Sequence, residues 1–216
     1  MKEFIVKNFS GFAVCRFQEI VYPSQTPKFT YTFTPGAYAF SGQIDNGGWA
    51  FTYSLPALYE KDVCVYGSSE FIIDDKFVSL DFLRSKSCYL GCPKTNQSAK
   101  KQFSKIEKNQ KLKKPLEEIK QMFGLTDERF DMPLDMTGNE LWRITAALGY
   151  AQDKKIFCYP WRTNNQLKAQ LYTIQKMANI FANNNCYLFL PVENDALLKE
   201  YVNDVLDLSQ PQIYGG

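Results

Sequence analysis

Gly42 and Gly47 stand at the G-x-x-x-x-G spacing, after the apolar run Ala37 to Ser41 and before an amphipathic stretch that begins near Trp49. A strand, a glycine-bearing loop and a helix start form a cradle whose backbone N–H groups can hold a phosphate. Phosphoryl transfer needs more than the cradle. A lysine must neutralise the β- and γ-phosphates, and a Ser or Thr hydroxyl beside it must hold Mg²⁺. Those two positions carry Gly48 and Trp49, and the loop between the glycines includes Asp45 and Asn46. By itself the spacing is also that of an ordinary glycine turn. Other chemistries are excluded by composition. With no histidine in the chain, Ser-His-Asp and Cys-His catalysis are absent, and so is most zinc chemistry. Cys88 and Cys92 have no second pair at a finger-like distance, so they read as structural thiols and no metal is expected.

The elements that must position the loop change character along the chain. Up to about residue 92 the sequence is strand-rich: Phe29, Tyr31 and Phe33 alternate with Thr30, Thr32 and Thr34 ahead of a Pro35-Gly36 turn. Ser68 to Cys92 predicts a hairpin around Asp74-Asp75, a short helical turn and a further strand. Residues Ser98 to Phe123 form a polar helical insert, with Pro115 at a helix start and Gly124 at its end. Beyond it the spacing predicts helices over about Asn139 to Ala151, Gln166 to Ala182 and Asp195 to Asn203, separated by the strands KIFCY and CYLFL. Strands alternating with helices require a parallel sheet, so the fold class is α/β. Thr137 and Glu140 are spaced as a capping box.

At 216 residues, 45% hydrophobic and 22% charged, the chain is long enough for a sizeable core, and its formal charge of +2 supplies no global field toward nucleic acid or an anionic membrane. Lys100, Lys101, Lys105, Lys108, Lys111, Lys113 and Lys114 form a local basic run, read as a solvated helix face. Six cysteines scattered among apolar neighbours indicate reduced, mostly buried thiols. No apolar run has signal-peptide or membrane-span length, so the expected location is cytoplasmic, without direct membrane insertion.

The segment Met136-Thr137-Gly138-Asn139-Glu140-Leu141-Trp142-Arg143, followed by ITAALGYA and the strand Lys155 to Tyr159, resembles the run from signature to Walker B in the ATP-binding cassette ATPases of ABC transporters. The hairpin region Ser68 to Cys92 resembles the strand entering that family's Q-loop. The resemblance implies one cassette domain over 1–216: a P-loop NTPase-like core, an N-terminal antiparallel β subdomain and a helical subdomain at about 95–140. It also assigns positions. Gly48 stands for the P-loop lysine, Trp49 for the magnesium-binding hydroxyl, Cys92 for the Q-loop glutamine, Pro160 (after Tyr159) for the Walker B aspartate and Trp161 for the catalytic glutamate. The switch histidine, expected near Val192 to Glu193, is missing.

In that frame the rings of Trp49 and Trp161 fill the space of phosphates and Mg²⁺, an arrangement that plain core packing also gives. The implied protein is a catalytically degenerate subunit. Its own site needs no cofactor and is left with weak ATP binding, without magnesium, at most. Its partners would be an intact ABC ATPase and a membrane permease at the inner face of the cell membrane, with no nucleic acid. Thr137 to Glu140 would reach the partner's γ-phosphate. Two alternatives stand beside this: a weakly active ATPase or nucleotide sensor using Asp45 or Glu193, and a free-standing scaffold.

Overall fold

The computed structural model describes residues 1–17, 19–56, 60–93, 95–109 and 112–208. β1 (Phe4–Phe17) and β2 (Ile20–Phe33) pair antiparallel from Phe4↔Phe33 to Phe17↔Ile20. Inward-facing residues on β1 are even-numbered at Phe4 and Val6 but odd-numbered at Phe9, Ala13, Cys15 and Phe17. A bulge accounts for the switch: Asn8 has φ +52°, the register shifts on either side of Phe9, and one extra residue exchanges the faces of a strand. β4 (Val63–Val65) and β5 (Glu70–Ile73) also pair with β1, and β6 (Lys76–Phe77) closes a hairpin on β5. That hairpin turns at Asp74 and Asp75, both at positive φ, as the sequence predicts.

The second sheet is parallel and has the order β10 (Asp204–Asp207), β3 (Gly36–Ser41), β9 (Tyr187–Val192), β8 (Ile156–Cys158), β7 (Ser87–Tyr89). The chain leaves β3 for the far edge at β7, returns through β8 to β9, and then crosses β3 to β10. Connections therefore reverse direction at β3, and the crevice outside the carboxyl end of such a strand is where open α/β sheets bind ligands. All of β8 and β9 is buried, as expected for parallel strands covered on both faces. α1 (Trp49–Ser54) lies between the two sheets, and α7 (Asn164–Asn183) covers β3 and β9 from the other side. Between the sheets Phe33 and Phe189 lie 4.9 Å apart and Phe29 and Phe51 5.0 Å apart, with Phe4, Phe9 and Phe40 around them.

Between α2 (Leu80–Lys86) with β7 and α6 (Leu141–Ala151) stand α3 (Ala99–Asn109), α4 (Leu116–Phe123) and α5 (Asp127–Phe130). α3 buries Ala99, Phe103 and Ile106 at i, i+4 and i+7 and exposes Lys100, Lys101, Lys105 and Lys108. Lys111 of the basic run lies outside the described residues. Gly124, at φ +63°, ends α4 as expected.

One expectation of the fold needs correction. Asp195 to Asn203 forms successive turns, with Leu198 N–H on the Asp195 carbonyl and Tyr201 N–H on that of Leu198, and no helix. Beyond these turns Asp204–Asp207 forms β10, and the residue after it, Leu208, donates its N–H to Ser41 O. Among the described residues no helix is long and apolar enough to cross a membrane. The thiols are all free; Cys15, Cys158 and Cys186 are buried, Cys88 and Cys92 are partly buried, and Cys64 is exposed.

Candidate functional site

The loop after β3 is drawn tight on itself. A Cβ at Gly42 would lie 2.9 Å from Asn46 O and from Gly47 Cα, so the two ends of the loop touch and only glycine fits. β2 holds the loop from outside. Gln25 N–H donates to Asp45 O (2.8 Å) and Gly47 N–H to Gln25 O (3.1 Å), while Thr26 Oγ1 donates to Gly47 O (2.6 Å) and accepts from Phe51 N–H (2.9 Å). Gly42 N–H donates to Val192 O on β9 (2.9 Å). Backbone donors that a phosphate cradle would offer at 42, 47 and 51 are thus bonded to the protein itself. Asp45 and Asn46 face solvent.

Gly48 presses on the core: a Cβ there would sit 2.2 Å from Phe40 Cβ. Trp49 opens α1 fully buried, and its Nε1 donates to Tyr89 Oη (2.9 Å) at the end of β7. From the end of β8, Tyr159 and Pro160 are buried and Trp161 is half-buried, with its Nε1 donating to Gly42 O (3.0 Å). The structure therefore joins the glycine loop, the Tyr159-Pro160-Trp161 turn and the end of β7 by two indole hydrogen bonds. The two tryptophans bond to different loops. Cys92 instead lines a cleft of about 290 Å³ beside α6, with Cys88, Thr145 and Gln102.

Thr137 to Glu140 do not join these loops. The expected capping box is not formed: Gly138–Glu140 is a 3₁₀ turn ahead of α6, and Thr137 is helical in its own backbone, so its hydroxyl cannot cap. Thr137 Oγ1, fully buried, donates to Leu134 O (2.7 Å). Glu140 is also buried and turns away, accepting from Thr126 N–H (2.6 Å) and Thr126 Oγ1 (3.1 Å), with Arg129 Nε at 3.6 Å and Arg143 Nη2 at 3.8 Å. Its carboxylate completes the start of α5, where four donors, from Thr126, Arg129 and Arg143, hold it away from a cap on α6. Only Gly138 (φ +58°) and Asn139 of this group are exposed.

Glu193, at the expected switch position, accepts Asn164 N–H (3.1 Å) at the start of α7. Three residues with site-forming contacts carry no motif in the sequence: Thr26, Tyr89 and Arg162. Arg162 is 3% exposed, its guanidinium lying over Phe17 and Trp142. Burial lowers its pKa to about 10, against an upward pull from Tyr159 and Tyr89, and burial pushes the Tyr159 phenol up.

No protein-family model matches the sequence, and no curated protein matches it, so its likenesses are structural. One is to cbiO1 of Clostridium perfringens, described as part of the ABC transporter complex cbiONQ. Its TM-score is 0.68 at 10% identity, over 95% of this chain and 85% of that one. Another is to a bacterial Atm1-family ABC exporter with ATP bound, TM-score 0.59 at 10% identity, over 96% of this chain and 38% of the exporter. With its antiparallel β subdomain, parallel sheet and helices in this order, the chain has the fold of an ATP-binding cassette.

Proposed function

We propose that this chain is a non-hydrolysing cassette subunit of a transporter complex, at the cytoplasmic face of a membrane, which pairs with a hydrolysis-competent ABC ATPase and, through it, a permease. The observation that carries the reading is the Trp161 Nε1 bond to Gly42 O, which ties together the two loops that would have to part around a nucleotide's phosphates. Trp49 and Gly48 take the positions of a metal-binding hydroxyl and a lysine, and phosphoryl transfer depends on such groups almost entirely for its electrostatic stabilisation. Any ATP held is held weakly and without magnesium. What the chain offers a partner is the exposed Gly138-Asn139 edge, since the Thr137 hydroxyl is turned inward.

The test is co-expression with an intact cassette ATPase encoded beside it, measuring ATP turnover of the complex for wild type and Gly138→Asp. The variant carries some strain at this positive φ, and its Cβ would crowd Arg129 Nη1 at 3.3 Å, but Asp is among the residues that enter the left-handed region and the end of a flexible arginine can give way, so the fold is kept at a small cost. A carboxylate at an edge facing the partner's phosphates should lower turnover severalfold with the complex still assembled. Unchanged turnover in an assembled complex would contradict the proposal.

A further inference from the structure

Arg162 has a rigid seat and an unused head. Its N–H donates to Pro191 O (3.1 Å) and its carbonyl accepts from Glu193 N–H (2.9 Å), which fixes the backbone beside the end of β9, one strand from β3. The side chain is 3% exposed. Its guanidinium carbon lies 4.4 Å from the centre of the Phe17 ring and 4.6 Å from that of Trp142. Aromatic faces offset part of the cost of desolvating the charge. They cannot serve the guanidinium's N–H donors, which need acceptors of their own. Nε is buried without an acceptor, and among the described residues no carboxylate pairs with this arginine.

A second orphan lies on the same indole. Tyr159 stacks on Trp142, with centroids 4.9 Å apart and planes 6° off parallel, and its buried hydroxyl has no partner either. Buried donors without acceptors are rare in native proteins and each requires an explanation. The elements that gather them, the ends of β1, β8 and α6, surround the carboxyl side of the parallel sheet near its switch point, where α/β folds take ligands. We propose that Arg162, helped by the Tyr159 hydroxyl, binds a phosphate oxyanion in a metal-independent site walled by Phe17 and Trp142. A guanidinium fork matches two phosphate oxygens at once. The site is separate from the glycine loop, whose Gly42 and Gly47 amides are bonded within the protein, and it stands whether or not the chain pairs with an ATPase.

The experiment follows tryptophan emission, with Trp142 against the guanidinium as reporter, while inorganic phosphate or ATP is titrated into the purified chain in EDTA, with chloride at matched ionic strength as control. The expected result is a saturable change with phosphate, weaker by roughly tenfold to a hundredfold in Arg162→Met and severalfold in Tyr159→Phe. Tyr159→Phe removes only an unbonded hydroxyl and so should fold at least as well as wild type, which keeps the test sound if Arg162→Met is unstable. A response to ATP alone would place the phosphate on a nucleotide; a response to both would make free phosphate sufficient. No saturable response of wild type to either, or equal affinity in wild type and Tyr159→Phe together with Arg162→Met, would overturn the site.

Discussion

Adding one methyl group at Gly48 tests how firmly the loop after β3 is locked to the core. Its backbone, φ −80° and ψ −3°, is one that alanine adopts freely, so conformational strain does not enter. The obstacle is steric. The new Cβ would meet Phe40 Cβ at 2.2 Å and Cγ at 2.7 Å, and Phe40 is itself fully buried against Phe29, Phe33, Phe51 and Phe189. Since the clash involves Cβ, no rotation of the Phe40 ring relieves it. Overpacking of this kind costs about 1–3 kcal/mol, and the reduced freedom of the unfolded chain returns about 0.4–1. A net loss of about 1–2 kcal/mol follows, lowering the urea midpoint by about 0.5–1 M. Gly67→Ala is the control, because a Cβ there meets nothing within 4 Å, and its stability should stay within about 0.5 kcal/mol of wild type. Gly48→Lys should be less stable than Gly48→Ala, since it adds a charge to a buried position, and should hydrolyse no ATP. If Gly48→Ala unfolds at the wild-type midpoint, the packing account of this loop is wrong.

Thr26→Val should cost about 2–3 kcal/mol in urea unfolding, because Gly47 O and Phe51 N–H both lose their partner, whereas Thr26→Ser keeps both bonds and should cost about 1; equal losses would refute the buttress. The hydrogen bond from Arg16 holds the Asp62 carboxyl below its ordinary pKa, outweighing the opposing effect of burial. Its folded pKa is depressed, so its contribution is fully present above about pH 4, the unfolded value, and is lost as pH falls through the lower folded one. Urea midpoints of wild type should therefore fall more steeply below about pH 4 than those of Asp62→Asn, and parallel profiles would count against the pair.

Local signals in the sequence carried much of the fold. The Asp74-Asp75 turn, the Gly124 cap and the alternation from Phe29 to Phe33 each depend on neighbours a few residues away. The pair of capping patterns shows where such signals fail. Thr163 and Gln166 close a full capping box on α7, while Thr137 and Glu140, with the same spacing, do not. The difference is tertiary: Glu140 is claimed by Thr126, Arg129 and Arg143. β10 was missed for a similar reason, because its DVLD sequence buries only Leu206 and is a strand by virtue of pairing with β3. At the candidate site, the glycine loop and the Pro160-Trp161 turn were legible as motifs. Arg162 was not, since its cage comes from Phe17 on β1 and Trp142 on α6, and no local spacing announces it.

On the proposed reading, the chain's own glycine-loop site does not handle magnesium nucleotide. Titration calorimetry of the purified chain with ATP, in magnesium and again in EDTA, measures this directly. The prediction is no gain in affinity from magnesium, with no ATP turnover above background in the same preparation. Binding that tightens about tenfold or more when magnesium is present, a gain of some 1.4 kcal/mol, would contradict it.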